Sequence, residues 1–306
     1  MHTFQATLGA FMNISNMRSF ADLETYFRTQ KKKAFCFLCL MWLVVLLLPG
    51  ALADWHYTYT GFTLPVIAIA IFLALTVWPT LIPPRRILKE EYTLNAFNKE
   101  TIRKIRHEVD TFTSMHKLAP ISVHVSRKTL PYSSDIAYSQ EGYVMRFSPE
   151  ILTLDWGQIK AAVHHELGHV KNEDTVSLIW INKCRYIALM LSFFQFSFIE
   201  PQGALIYKFI ALFLLWLYIE KHIRAWIYRQ SEYLADIAVI QNTGDGQGLI
   251  NYFHLVYKSY FKSSEIQLLA RRHSAIVASG CPTPFKRVEL LYNAQSLYNQ
   301  SSEQGF

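Results

Sequence analysis

Charge and cysteine are both scarce in this sequence. Only 17% of its 306 residues are Asp, Glu, Lys or Arg, while 51% are hydrophobic, and cysteine occurs four times. Two of the four, Cys36 and Cys39, lie inside an apolar run, so a disulfide framework is excluded and nothing demands an oxidising compartment. Internal repeats and low-complexity linkers are missing too, which excludes a solenoid or a flexible array. With 15% aromatic residues, a disordered chain is excluded as well, because there is ample surface to bury. What remains is a chain too apolar for an ordinary soluble protein, and one that points toward lipid.

Ala34 to Ala53 is 20 residues without a charge, enough helix to cross a hydrocarbon core. Phe62 to Ile82 has the same reach, and Trp55, Tyr57, Tyr59 and Trp78 fall near the expected interfaces. A cleaved signal peptide fits poorly, since the first run starts after 33 residues and another follows it. Lys31, Lys32 and Lys33 precede this hairpin, Arg85, Arg86 and Lys89 follow it, and the connection from Asp54 to Gly61 has neither residue type. The positive-inside rule places both ends in the cytoplasm. The net charge of +7 thus reads as orientation, not as a nucleic-acid surface, and no nucleic-acid partner is expected.

Two shorter runs, Tyr186 to Ile199 and Ala204 to Ile219, are separated by Glu200, Pro201, Gln202 and Gly203. Their basic flanks favour a second hairpin, with Lys208 snorkelling, although two buried core helices are the alternative. The expected organisation is a cytoplasmic leader over 1–33, a transmembrane hairpin over 34–84, and a further domain over 85–306 interrupted by the hydrophobic hairpin at 186–219.

Between the runs, Leu94, Phe97, Ile102, Ile105, Val109 and Phe112 follow helical spacing and predict an amphipathic helix. Ile121 to Ser126, Asp135 to Ser139 and Tyr143 to Phe147 read as strands of a small antiparallel sheet. Asp155 is a candidate N-cap for a helix from about Trp156 through Val170. Glu220 to Phe306 reads as at least three helical pieces.

The helix after Asp155 carries His164, His165, Glu166, Leu167, Gly168 and His169. Residues four apart share a helix face, so His165 and His169 can direct ring nitrogens at one metal ion while Glu166 borders the open position. This is the HExxH arrangement. Gly168 stands four residues after His164, so His164 cannot start the pair. A catalytic zinc usually takes three protein ligands, and Glu232 in Ser231-Glu232-Tyr233-Leu234-Ala235-Asp236 is the downstream candidate. Asp236 shares its face and is placed to accept the free N–H of a liganding histidine; a solvated helix face is the bland alternative for both.

HExxH, then EYLAD, then a downstream Pro and Arg, with hydrophobic hairpins before and between, resembles the HtpX family of integral-membrane zinc metallopeptidases. That family is grouped with the proteases of prenylated CaaX proteins and the mitochondrial stress metalloprotease. The resemblance covers about Arg85 to Leu291 and the N-terminal hairpin. It implies a mainly α membrane protein with a zincin-like (gluzincin) α+β catalytic domain and about four transmembrane helices. It further implies one zinc ion on His165, His169 and Glu232, with Glu166 as general base and Asp236 behind the ligands. Substrates would be membrane or misfolded proteins, cut at the cytoplasmic face of a bacterial inner membrane. Such sites bind substrate as an added strand, and the candidate edge is Ser134, Asp135, Ile136, Ala137, Tyr138 and Ser139.

The sequence departs from the family pattern at two places: Ser134 to Ser139 differs from the Asn-Ala-Phe type of edge segment common in relatives, which leaves substrate preference open, and a histidine position further on is changed. Relatives carry a His-Pro pair shortly before an arginine, and here Cys281 stands in the histidine position ahead of Pro282 and Arg287. Cys281, His273 nearby and Arg287 are the candidates for oxyanion stabilisation or support of the site. The Cys281 departure leaves a second function class open, a weakly active zinc-bound membrane scaffold that binds peptides. Intact Glu166 favours the enzyme, because a structural zinc site needs no base beside its ligands.

Overall fold

The computed structural model describes residues 17–52, 96–126, 132–139, 142–182, 185, 203–262 and 282–304. Its longest elements grow from apolar stripes. Helix α1, Phe20–Leu52, starts where the Ser19 hydroxyl accepts the Asp22 backbone N–H at 3.1 Å. Phe20, Leu23, Phe27, Ala34, Leu38 and Trp42 are all buried and follow a spacing of three and four residues, which keeps them on one face. Helix α4, Gly203–Thr243, receives that face. Phe27 packs against Tyr233 with ring centroids 5.1 Å apart, while Ala34, Leu38 and Trp42 cluster with Trp216, Ile223 and Ile227. Rising numbers in α1 meet falling numbers in α4, so the two helices run antiparallel.

Sequence reading divided α4 at Ile219, where the apolar run ends. The helix instead continues without a break for 41 residues, about 60 Å. A change from apolar to polar neighbours alters what surrounds a helix, not its backbone hydrogen bonding, and no Gly or Pro interrupts the stretch after Gly203. Likewise α1 joins part of the expected leader to the first apolar run. The runs Phe62 to Ile82 and Tyr186 to Ile199 lie outside the described residues. Among the described residues no helix is long and apolar enough to cross a membrane.

Helix α2, Ala96–His116, buries Ile102, Ile105, Val109 and Phe112 as its spacing predicts. They pack on strands β1 (Ser122–Val125), β2 (Ser134–Ser139) and β3 (Gly142–Phe147) and on helix α3, Trp156–Lys171. The strand positions match the sequence pattern, but the sheet is mixed, not antiparallel. Its order is β1-β3-β2, with β1 parallel and β2 antiparallel to β3. β3 is the strand with the most to bury, with Val144, Met145 and Phe147 inside, and it takes the centre. The segment between Val125 and Ser134 is long enough to step over it, a distance of about 10 Å.

Asp155 caps α3 in an extended conformation, and the Gln158 side chain reaches back to accept its N–H at 3.3 Å. A short 174–182 helix follows. α4 stops at Gly244, whose φ of +74° suits glycine and whose N–H donates to Ile240 at 2.8 Å. Helices α5, Gln247–Lys262, and α6, Pro284–Gln304, then pack Leu249, Ile250, Leu290, Leu291 and Ala294 onto the α1–α4 core.

One contact sets the distance between α3 and α4. A Cβ on Gly168 would sit 3.0 Å from the Ala235 Cα and 3.0 Å from the Ala238 Cβ. Backbone cannot rotate aside, so only glycine allows this approach. Gly168→Val is expected to destabilise the protein by about 1–3 kcal/mol and to push Ala235 away, together with Glu232 and Asp236 beside it. Denaturant unfolding checks the first effect and the structure of the variant the second; unchanged stability and an unchanged α3–α4 distance would mean that α4 yields freely.

Candidate metal centre

The i,i+4 spacing on α3 brings His165 and His169 side by side, with ring centroids 4.8 Å apart. Glu232 reaches them from α4: its Oε2 lies 3.5 Å from His165 Nε2 and its Oε1 3.7 Å from His169 Nε2. Ligand atoms of the three residues all fall within 4.8 Å of one another. Ligands at about 2.0–2.2 Å from a tetrahedral zinc are separated from each other by roughly 3.3–3.6 Å, so little movement is needed to close the set.

Hydrogen bonding at the far side of each ring supports the same reading. His165 Nδ1 is 3.0 Å from Asp236 Oδ1, and His169 Nδ1 is 2.9 Å from Asp174 Oδ2. A carboxylate beside Nδ1 holds the proton there and leaves the Nε2 lone pair for a metal. Asp236 lies beside a ring nitrogen of His165, the position the sequence reading gave it. Asp174 was not anticipated. It follows the end of α3, where Glu173 turns the chain with a φ of 54° and returns the carboxylate toward the helix.

The site is buried and strongly charged. Burial and the Arg287 charge both push the His165 pKa down, but the hydrogen bonds to Asp236 and Glu232 outweigh them and lift it to about 9. For His169, burial again opposes and the Asp174 hydrogen bond and Glu232 charge prevail, so its pKa is raised. Burial would raise Glu232, yet Arg287 and the two imidazoles hold it well below the usual carboxylate range. Carboxylates around two imidazoles thus draw in positive charge, which protons supply where a divalent cation does not.

Arg287, the third candidate support residue, enters from α6. It donates through Nε and Nη2 to Asp236 at 2.8 and 2.6 Å, and its Nη1 lies 2.9 Å from Glu232 Oε2. Its Nη2 is 3.3 Å from both ring nitrogens of His165, which puts it off the axis of either lone pair. Its guanidinium carbon sits 4.3 Å from the centre of the Phe253 ring. This geometry orients the carboxylates around the histidines. Cys281 and His273 lie outside the described residues.

Glu166 is buried beside the histidines, and its Oε1 accepts a 2.8 Å hydrogen bond from the Ser134 hydroxyl. Ser134 opens β2, which lies at the edge of the sheet as the substrate strand reading requires. Asp135 points the other way and forms a 2.7 Å bond with Arg146 across the sheet. Ile136 packs toward the core and Tyr138 is exposed. Ala137 pairs with Val144, and Ser139 with Gly142. His164 faces away, its Nε2 3.3 Å from Glu108 on α2, as the register argument demanded.

A protein-family model described as peptidase family M48 matches residues 103–292. The match is more than half of the chain and includes His165, Glu166, His169, Glu232, Asp236 and Arg287. No curated protein matches.

Proposed function

The chain belongs to peptidase family M48, the family of HtpX and the CaaX prenyl proteases, and from that membership we propose that it is a zinc-dependent endopeptidase of membrane or misfolded proteins, acting at the cytoplasmic face of a bilayer. Metallopeptidase activity follows from the family itself. The zinc dependence is supported by one observation: His165, His169 and Glu232 converge with both Nδ1 atoms already committed to carboxylates.

These three residues would hold the zinc ion. Bound there, it would polarise the peptide carbonyl and make a water molecule more acidic. Glu166 then serves as the base: its carboxylate takes the proton from the attacking water and returns it to the leaving amine. The Ser134 hydroxyl keeps that carboxylate turned toward the site. An extended substrate adding to the outer edge of β2, which pairs with no further strand among the described residues, would run past Ser134, which brings its backbone beside Glu166. Main-chain pairing of this kind makes few demands on sequence, as suits a protease of damaged proteins.

A bilayer is favoured by the outer faces of α1 and α4. Beside the stripe that packs the two helices together, Phe37, Leu40, Leu43, Tyr207, Leu214 and Leu215 are about half exposed or more. Large apolar side chains gathered on neighbouring helices, next to three consecutive lysines, fit lipid better than water. Membranes from expressing cells, extracted at alkaline pH, should retain the protein; its release into the supernatant would count against the membrane assignment. For the activity, the purified chain should cleave an unfolded membrane protein and stop when a zinc chelator is added. Cleavage that persists after the metal is removed would overturn the zinc mechanism.

A further inference from the structure

The apolar stripe of α1 has one polar member. Phe20, Leu23, Phe27, Ala34, Leu38 and Trp42 keep the spacing of a packed helix face, and the step missing between Phe27 and Ala34 is occupied by Lys31. A charged residue in a packing stripe is costly unless its charge is met. Here it is met by Asp174, with which Lys31 Nζ forms an ion pair and a hydrogen bond to Oδ1. The same ammonium donates to the Asn172 backbone oxygen at 3.3 Å, at the C-cap of α3.

Asp174 is buried, and its two oxygens are divided between two partners. Oδ1 faces Lys31; Oδ2 faces His169 Nδ1 at 2.9 Å. The carboxylate therefore joins the N-terminal helix to one of the metal-binding imidazoles. Lys31 lies 143 residues from Asp174 and outside the matched residues 103–292.

We propose that Lys31 is a positioning residue for the metal centre: by holding Asp174 it fixes the His169 ring, so that the seating of α1 and the affinity for zinc are thermodynamically coupled. This rests on the zinc site proposed above. A carboxylate with one oxygen released can rotate away from His169 or accept water, and the Nε2 lone pair loses its fixed direction. A shift of α1 by one residue moves Lys31 about 1.5 Å along the helix axis and turns it about 100°, enough to break both contacts. Coupling of this kind is reciprocal, so bound zinc would also hold α1 in place.

The test uses the full chain, purified in detergent, with zinc affinity measured by competition against a chromophoric chelator. Lys31→Met keeps the length of the side chain and removes the charge; it should weaken zinc binding about tenfold. Lys31→Arg should restore most of that loss. In an Asp174→Asn background, Lys31→Met should add no further loss, whereas a general weakening of the fold would lower affinity in both backgrounds. Wild-type affinity in Lys31→Met, or an equal loss with and without Asp174, overturns the coupling while leaving the zinc site intact. A wild-type chain that binds no stoichiometric zinc overturns the site itself, and the coupling with it.

Discussion

Glu166→Gln is expected to lower the turnover of a protein substrate by about a hundred- to ten-thousandfold while zinc content stays at the wild-type level. Glutamine has nearly the same shape, and its amide oxygen can still accept the Ser134 hydroxyl that now bonds Glu166 at 2.8 Å. Packing and the three converging ligands are left alone, since Glu166 is not among them. What disappears is a group able to take a proton and give it back. Metal analysis and a thermal melt on the same preparation separate this from misfolding. Equal cleavage by the two proteins would sink the mechanism. Ser134→Ala gives the graded control: it keeps the base and loosens it, so a loss nearer tenfold is expected.

The parts of this centre that follow helical periodicity were readable from sequence alone. The His165 and His169 pair, the rejection of His164, and the Glu232 and Asp236 pair all follow from residues four apart sharing a face. The Asp155 cap and the α2 stripe are equally local. Asp174 escaped because it joins the site through a left-handed turn at Glu173, a conformation that no glycine announces. The sheet order escaped for a different reason. Consecutive strands usually pair, but the strand with the most to bury took the centre and separated β1 from β2. Lys31 was counted only as a topological charge, since a contact across 143 residues leaves no local pattern. Even so, its place in the α1 stripe is a signal: a lysine where the packing register calls for an apolar residue asks what meets its charge.

Removing a metal ligand should be as damaging as removing the base, with a different signature. His169→Ala or Glu232→Ala leaves two of the three converging residues, and zinc affinity is expected to fall on the order of a thousandfold, with activity falling to background. Asp236→Ala should cost less, about ten- to a hundredfold in affinity, because it acts through the His165 ring. Protons compete for the same lone pairs. Since the metal-free His165 has its pKa raised to about 9 and that of His169 is also raised, zinc must displace protons at neutral pH. A raised pKa keeps the proton on as pH increases, so apparent zinc affinity should climb up to about pH 9 and weaken on acidification. The slope should be about tenfold per pH unit for each proton displaced. Chelator competition between pH 6 and 8 measures that slope directly, and a flat profile would mean that zinc binds elsewhere. The same carboxylates that raise the two histidine pKa values would favour a divalent cation between them. Arg287, held on Asp236 and Glu232, limits that negative charge.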